Sequence, residues 1–238
     1  MKTGLVWLAA FAVLVAAPGG AQERRDTRAP TTTVAAPTYK PPLRGAPGGR
    51  IGGGTRGTGR ESFLLTVLAP DHSGRTLSEQ PTLYWFISNT TSLAVEVTVM
   101  DPRTTRPLLE AGLPGTTSPG VHRIRLADYG VRLDPGVPYW WFVTVIPDPN
   151  RRSRDILAGG TIERVTPPDG LATKLSEAGK TEHAALYAEA GLWYDSLAAI
   201  SELIESAPND AALRAQRVTL LAQVGLSRVS EHETGTSR

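Results

Sequence analysis

Near residue 168 the chain changes its hydrophobic period, and this change constrains its fold more than any other feature. Residues 61–165 consist of short runs rich in β-branched and aromatic residues: ESFLLTVLA, PTLYWFIS, LAVEVTVM, VHRIRLAD, VPYWWFVTVI and DILAGGTIERV. Between them lie DHSGRTLSEQP, DPRTTRP, LPGTTSPG and IPDPNRRSR, which are turn and loop chemistry. From residue 169 the spacing is helical, with Trp193, Leu197, Ile200 and Ile204 recurring on one stripe. Strands first and helices second predict an α+β protein. The expectation is an immunoglobulin/fibronectin-like β-sandwich over 61–168, followed by a short tetratricopeptide-like helical segment over 169–226 packed on it.

The strands carry more information than their number. LAVEVTVM alternates, placing Leu93, Val95, Val97 and Val99 on one face. YWWFVTVI is apolar on both faces, Tyr139, Trp141, Val143 and Val145 on one, Trp140, Phe142 and Ile146 on the other. PTLYWFIS shows the same double-sided pattern. Such strands belong in the middle of a sheet covered on both sides. LDPGVPY, ending at Tyr139, matches the tyrosine corner of immunoglobulin-like sandwiches, in which the hydroxyl ties a turn between the sheets.

The helical part contains a repeat. ALYAEAGL at 185–192 aligns with TLLAQVGL at 219–226, an offset of 34 residues, the tetratricopeptide period. Ser196 stands where that repeat usually has alanine. Pro208, Asn209 and Asp210 end one helix and can cap the next. The reading is one and a half repeats, with 227–238 a polar tail that adds no helix. A fragment this short cannot stand by stacking alone, so its apolar stripe should lie on the second apolar face of the β-domain, over the tryptophans.

The N-terminus reads as a secretory signal over 1–21: Lys2, an apolar run from Leu5 to Ala17, then small residues at Gly19 and Ala21 before Gln22. That run is too short to span a bilayer, which takes about 20 residues. The expectation is a periplasmic or extracellular protein, not transmembrane after cleavage. The chain has no cysteine, which excludes disulfides, thiolate metal sites and a cysteine nucleophile. Residues 22–48, rich in Pro, Thr, Ala and Arg, read as a disordered basic arm, and 49–60 as a Gly/Arg entrance segment. Residues 23–60 carry a net charge of +6, the rest of the chain from Glu61 −5. A basic arm before an acidic body can hold to an anionic envelope surface, with Arg50, Arg56 and Arg60 as candidate binding residues. Export and the acidic body disfavour nucleic acid.

Little of this resembles a reaction centre. GRIGGGTRGTGR (49–60) contains a formal G-x-G-x-x-G at Gly52, Gly54 and Gly57. A dinucleotide fingerprint needs a strand before it and a helix after it; here a proline-rich segment precedes and a strand-like run follows. Asp71, His72 and Ser73 collect the letters of a hydrolase triad, but adjacent residues cannot form one. His72, His122, His183 and His232 lack metal-ligand spacing. No catalytic residue, metal or cofactor is expected. Trp85, Trp140 and Trp141 are read first as core and alternatively as a sugar-stacking platform.

APGGRIGGGTRG, LSEQPTLYWFI, LDPGVPYWWFVTVIPDPNRRSRDILAGGTIERV and YAEAGLWYDSLAAI together resemble the bacterial domain of unknown function 928, from about Tyr39 to about Leu226. The resemblance implies an exported protein of this β-plus-helical layout and brings no activity, so no catalytic residue carries over. Many relatives have cysteines near the positions of Gly59 and Pro147, absent here. If those cysteines pair, the resemblance implies an entrance segment held beside the YWWFVTVI strand, with Arg56 and Arg60 near Asp148. The functional expectation is a non-enzymatic exported protein in protein–protein interaction or envelope assembly, partnered by an envelope protein. The alternatives are a carbohydrate- or peptidoglycan-binding module and, last, a hydrolase.

Overall fold

Alternation and β-branching in the runs above are met by two sheets. The computed structural model describes residues 36–42, 49–52, 55–56 and 63–235, all within one unit, Val34–Arg238. In chain order the strands are β1 (Thr55–Arg56), β2 (Phe63–Val67), β3 (Gly74–Thr76), β4 (Thr82–Ile87), β5 (Ala94–Met100), β6 (Pro107–Leu113), β7 (Gly120–Arg125), β8 (Pro138–Ile146) and β9 (Ile156–Arg164). They form a four-stranded sheet, β1-β2-β4-β7, and a five-stranded sheet, β3-β9-β8-β5-β6. Pairing is antiparallel except between β3 and β9. Five helices follow: α1 (Leu171–Glu177), α2 (Lys180–Glu189), α3 (Trp193–Ser206), α4 (Ala211–Ala222) and α5 (Ser227–Gly235). The protein is a mixed α+β molecule.

Both double-sided strands are central, as their composition requires: β4 lies between β2 and β7, β8 between β9 and β5. Val95, Val97 and Val99 share one core with Trp141, Val143 and Val145 of β8 and with Leu65, Val67, Leu83, Trp85 and Ile87 of the other sheet. Gly160 of β9 lies close against the segment after β2: a Cβ there would lie 2.6 Å from that of Ala69. At the LDPGVPY turn, the Tyr139 hydroxyl accepts from the Asp134 backbone N–H at 3.0 Å and from Arg103 at 3.2 Å.

The helices cover only one of the two outer faces. On β4, Tyr84 lies against Ser201 and Phe86 against His232 edge-on, while Arg123 of β7 pairs with Glu205 of α3. The outer face of β8 is different. Trp141 points inward and is fully buried, but Trp140 and Phe142 point out and stay half-buried, so the expected burial of the Trp140 face under helices is corrected. The helical stripe needed one apolar face, and Tyr84 and Phe86 supply it.

Four consecutive residues at the start of α3 tie this layer down, each to a different element. Trp193 Nε1 donates to Leu68 O at 2.8 Å. The Tyr194 hydroxyl accepts from Trp141 Nε1 at 2.8 Å and donates to Thr161 O at 2.9 Å. Asp195 accepts from Leu77 N at 3.0 Å. Ser196 Oγ donates to Ala184 O of α2 at 2.7 Å.

The 34-residue offset is also geometric. Ser230 Oγ donates to Val218 O at 3.1 Å, the counterpart of Ser196 on Ala184. The backbone bond Leu192 N→Tyr187 O recurs as Leu226 N→Leu221 O. Gly191 and Gly225, in the two equivalent turns, have φ of 74° and 72°, a conformation glycine adopts without penalty. As expected, Asp210 caps α4, its side chain accepting from Ala212 N and Leu213 N. The polar tail is corrected: residues 227–235 form α5, because Val229 and Ser230 are buried against the preceding helix and Leu226.

The arm needs a correction as well. Residues 36–42, expected within a disordered stretch, lie across the helical turns. Tyr39 N donates to Gln223 Oε1 at 2.7 Å, Gln223 Nε2 to Pro37 O at 2.8 Å, and Lys40 N to Ala188 O at 3.0 Å. The Tyr39 ring is buried edge-on to Trp193. One aromatic side chain with a partner for its hydroxyl fixes a stretch whose average composition is that of a linker.

Candidate functional site

Between α2, α3 and the loop from β3 to β4 lies a groove. Its inner part, about 300 Å³, is lined by Thr76, Ser78, Gln80, Tyr187, Asp195 and Ala198, among others. Its outer part, about 240 Å³, continues along Lys180, Leu203 and Ser206. His183, Ala199 and Glu202 line both parts, so the two adjoin along α2 and α3. The helical period explains the arrangement: Asp195, Ala198, Ala199, Glu202, Leu203 and Ser206 lie on one stripe of α3. Lys180, His183 and Tyr187 form the facing stripe of α2. Two alanines side by side keep the floor low.

Asp195 is the acid at the inner end. Burial pushes its carboxyl up to about 6, against the lowering effect of the Leu77 and Ser78 N–H groups and the Thr76 hydroxyl. Burial also raises the neighbouring Tyr187 phenol, helped by the Asp195 charge. Glu202 is exposed farther along the stripe. His183 Nε2 lies 3.1 Å from Leu175 O and so donates to that carbonyl. The Asp195 carboxylate is engaged by the loop and His183 by the α1 carbonyl, so the groove does not join them in a proton relay. Such a surface hydrogen-bonds and attracts cations.

The open face of the five-stranded sheet is the second feature. Trp140 and Phe142 lie with their planes 6° apart and centroids 6.2 Å apart. Phe142 rests on Gly159, where a Cβ would come within 2.5 Å of the ring. Leu157 and Ile51 beside them are exposed.

The residues singled out in the sequence fall elsewhere. Arg50 is a structural clamp: its guanidinium donates to Ala69 O at 2.9 Å, Val224 O at 3.1 Å and Gly225 O at 3.3 Å. It joins the end of the β2 segment to the turn after α4, and three carbonyls take up the fork, so this arginine pins the entrance segment to the folded part. Ile51 exchanges backbone hydrogen bonds with Gly159 at 2.9 and 2.8 Å. Arg56 has its backbone in β1, paired with Phe63; its side chain and all of Arg60 and Gly59 lie outside the described residues, as does their expected nearness to Asp148. The signal stretch and the rest of the arm before residue 36 lie outside them too. His72 stands 3.0 Å from Asp71 and 2.8 Å from the Tyr39 hydroxyl, so of the DHS letters Asp71 and His72 anchor the N-terminal segment. Among the described residues, no group of three or more His, Asp or Glu is placed to hold a metal ion, and no helix is long and apolar enough to cross a membrane.

Asp195, His183 and Tyr187 escaped the sequence reading. A carboxylate one residue into an apolar stripe, directly after Trp-Tyr, was the available signal for Asp195.

Fold and groove define a two-sheet, five-helix α+β protein with an open polar groove beside its helical layer. The model of the Domain of Unknown Function DUF928 matches residues 51–234, and the chain belongs to that family. No curated protein matches the chain. Among solved structures, a multi-domain immunophilin from Arabidopsis thaliana is similar at 7% identity, over 83% of this chain and 99% of that one, with a TM-score of 0.18; a likeness that slight carries no argument.

Proposed function

We propose that this chain is an exported, non-catalytic binding module of the cell envelope, periplasmic or extracellular, that engages a protein partner through the α2–α3 groove. The groove carries the reading: it is open, lined by hydrogen-bonding side chains, and floored by Ala198 and Ala199. The signal-like N-terminus supports export. The Tyr139–Asp134 bond supports an immunoglobulin-like β-unit. The bonds recurring at 34 residues support tetratricopeptide-like helices.

The test is co-sedimentation of the mature chain with purified envelopes across a salt series. Ala199→Arg, which fills the groove from a half-buried position on its floor, is expected to abolish retention while leaving the unfolding midpoint within a few degrees. Retention unaffected by that change would overturn the reading. Deleting residues 22–35 separates the contribution of the basic arm, whose hold on an anionic surface should fade with salt.

A second reading has its own observation. The near-parallel Trp140 and Phe142 on an open sheet suit stacking against sugar rings. Retention on insoluble peptidoglycan that falls with Trp140→Ala but not with Ala199→Arg would favour it.

A further inference from the structure

Another cavity, sharing no lining residue with the groove, opens between the outer face of β4 and β7 and the last two helices. It holds about 250 Å³, and its two walls differ in kind. The β wall is Phe86, Pro119, Gly120 and Val121, which bring no polar side chain. The rim is unobstructed at Gly120, where a Cβ would meet open space. The helical wall is Arg214 and Arg217, three residues apart and so on one face of α4, with His232 and Glu233 of α5.

The charges of this lining do not cancel. Arg217 spends Nε and Nη2 on the two carboxylate oxygens of Glu233, at 3.2 and 2.5 Å, a pair whose side chains are only 11% and 9% exposed. Arg214 gives Nη1 to Pro208 O, an uncharged acceptor. The acids nearest to Arg214 along the chain are committed: Asp210 caps α4 through Oδ1, and Glu205 pairs with Arg123. Two guanidiniums facing one carboxylate leave one positive charge in excess, and half-buried Arg214 carries it.

We propose that this cavity binds a small amphipathic carboxylate, with the carboxyl group on Arg214 and an aryl or branched-alkyl body against Phe86, Pro119 and Val121. The volume lies just under the roughly 300–1,000 Å³ of sites for drug-sized ligands, which suits a body of about ten carbon atoms. Arg214 can present Nε and Nη2, the same edge with which Arg217 grips Glu233, and a carboxylate takes that edge by two charge-assisted bonds. A sugar or a bare phosphate would find no side-chain donor on the β wall, whereas an apolar body dries it. Arg217 holds the buried pair that ties α5 to α4, so its removal would loosen the wall itself. The decisive position is therefore Arg214.

Titration of the isotope-labelled mature chain with phenylpropionate, followed by NMR at the Gly120 and Val121 amides, tests the proposal. Phenylpropanol keeps the body without the charge and should bind about tenfold more weakly, the loss of one charged hydrogen bond. Arg214→Gln should weaken the acid by about the same tenfold and leave the alcohol unchanged. Acetate, which has the charge without the body, should need about a hundredfold higher concentration to shift the same amides. Equal affinity for acid and alcohol, or an Arg214→Gln chain that binds the acid as tightly as wild type, overturns the placing of the carboxylate. Shifts absent at Gly120 and Val121 up to the solubility of the acid overturn the site. Ala199→Arg should leave phenylpropionate binding unchanged, so failure here and failure of the groove reading are separate results.

Discussion

Tyr194→Phe removes one oxygen and tests whether the helical layer and the sheets are a single cooperative structure. The ring stays, so no cavity arises beyond the hydroxyl. What changes is polar: Trp141 Nε1 loses its acceptor and Thr161 O loses a donor, both inside the core. Trp141 and Tyr194 are at most 1% exposed, so water cannot take the place of the hydroxyl without repacking. An unsatisfied buried donor or acceptor costs about 1–3 kcal/mol, and two of them with partial relaxation give an expected loss of about 2–4 kcal/mol. That is a large share of the ~5–15 kcal/mol typical of a domain. Urea unfolding followed by tryptophan fluorescence and by far-UV circular dichroism measures it. The two signals should shift together, because three of the four tryptophans after the signal stretch, Trp85, Trp140 and Trp141, lie in strands, while the dichroism reports largely on the helices. In a cycle with Trp141→Phe, the double variant should lose about 1–2 kcal/mol less than the sum of the singles, since Tyr194 then has no indole to orphan. A cost under about 0.5 kcal/mol for Tyr194→Phe, or additivity within about 0.3 kcal/mol, would refute the reasoning.

Three further outcomes follow from the same geometry. Asp195 is raised from 3.8 to about 6 in the fold, so the native state holds the proton more tightly and stability from this group falls as pH rises from about 4 to about 6. Asp195→Asn should therefore gain stability relative to wild type between pH 4 and pH 7, by up to about 3 kcal/mol; a difference flat with pH in denaturant titrations would count against it. Gly191→Ala and Gly225→Ala both place alanine at positive φ, at about 1–2 kcal/mol, but only at Gly191 would the Cβ meet a backbone oxygen, Lys40 O at 2.8 Å. Gly191→Ala should be the costlier and should expose the Lys40 bond to trypsin, whereas Gly225→Ala should not. Arg50→Ala should lower stability by about 1–2 kcal/mol, the lower part of the range for charged donors because the side chain is half exposed, with envelope retention unchanged.

What the sequence disclosed was set by how local each signal is. The runs around β2, β4, β5, β7, β8 and β9 are legible because β-branched and aromatic residues cluster in them. Pro107–Leu113 is not, since PLLEAGL carries Ala, Glu and Gly, poor strand formers. β3 is three residues inside a turn-like stretch, held by parallel pairing to β9, which lies far along the chain. The helix α5 hides in SRVSEHETG because Val229 is its one apolar side chain, and the rest of its hold is polar: the Ser230 hydroxyl on Val218 O, His232 edge-on to Phe86 and Glu233 paired with Arg217. Extending the 34-residue alignment by one helix would have exposed it, with Ser230 falling on Ser196. The partners of Arg50 were hidden for a different reason. Nothing local says that a guanidinium will reach carbonyls 174 and 175 residues away, so an arginine among glycines does not disclose which groups it holds.

The Trp-Tyr-Asp-Ser run at the head of α3 explains why fold and candidate site cannot be varied separately. Trp193 and Tyr194 spend their polar atoms on the two sheets, Ser196 on α2, and Asp195 on the loop that forms the far wall of the groove. The same helical turn thus sets the distance between the helical pair and the β wall, and with it the groove width. Glu202 lies two turns on, outside that joint, where it alters the charge of the groove without loosening its walls. Changes at Asp195 act on loop, groove and stability at once, whereas changes at Glu202 or Ala199 act on the groove alone. A loss of binding confined to the second pair therefore reports recognition rather than unfolding.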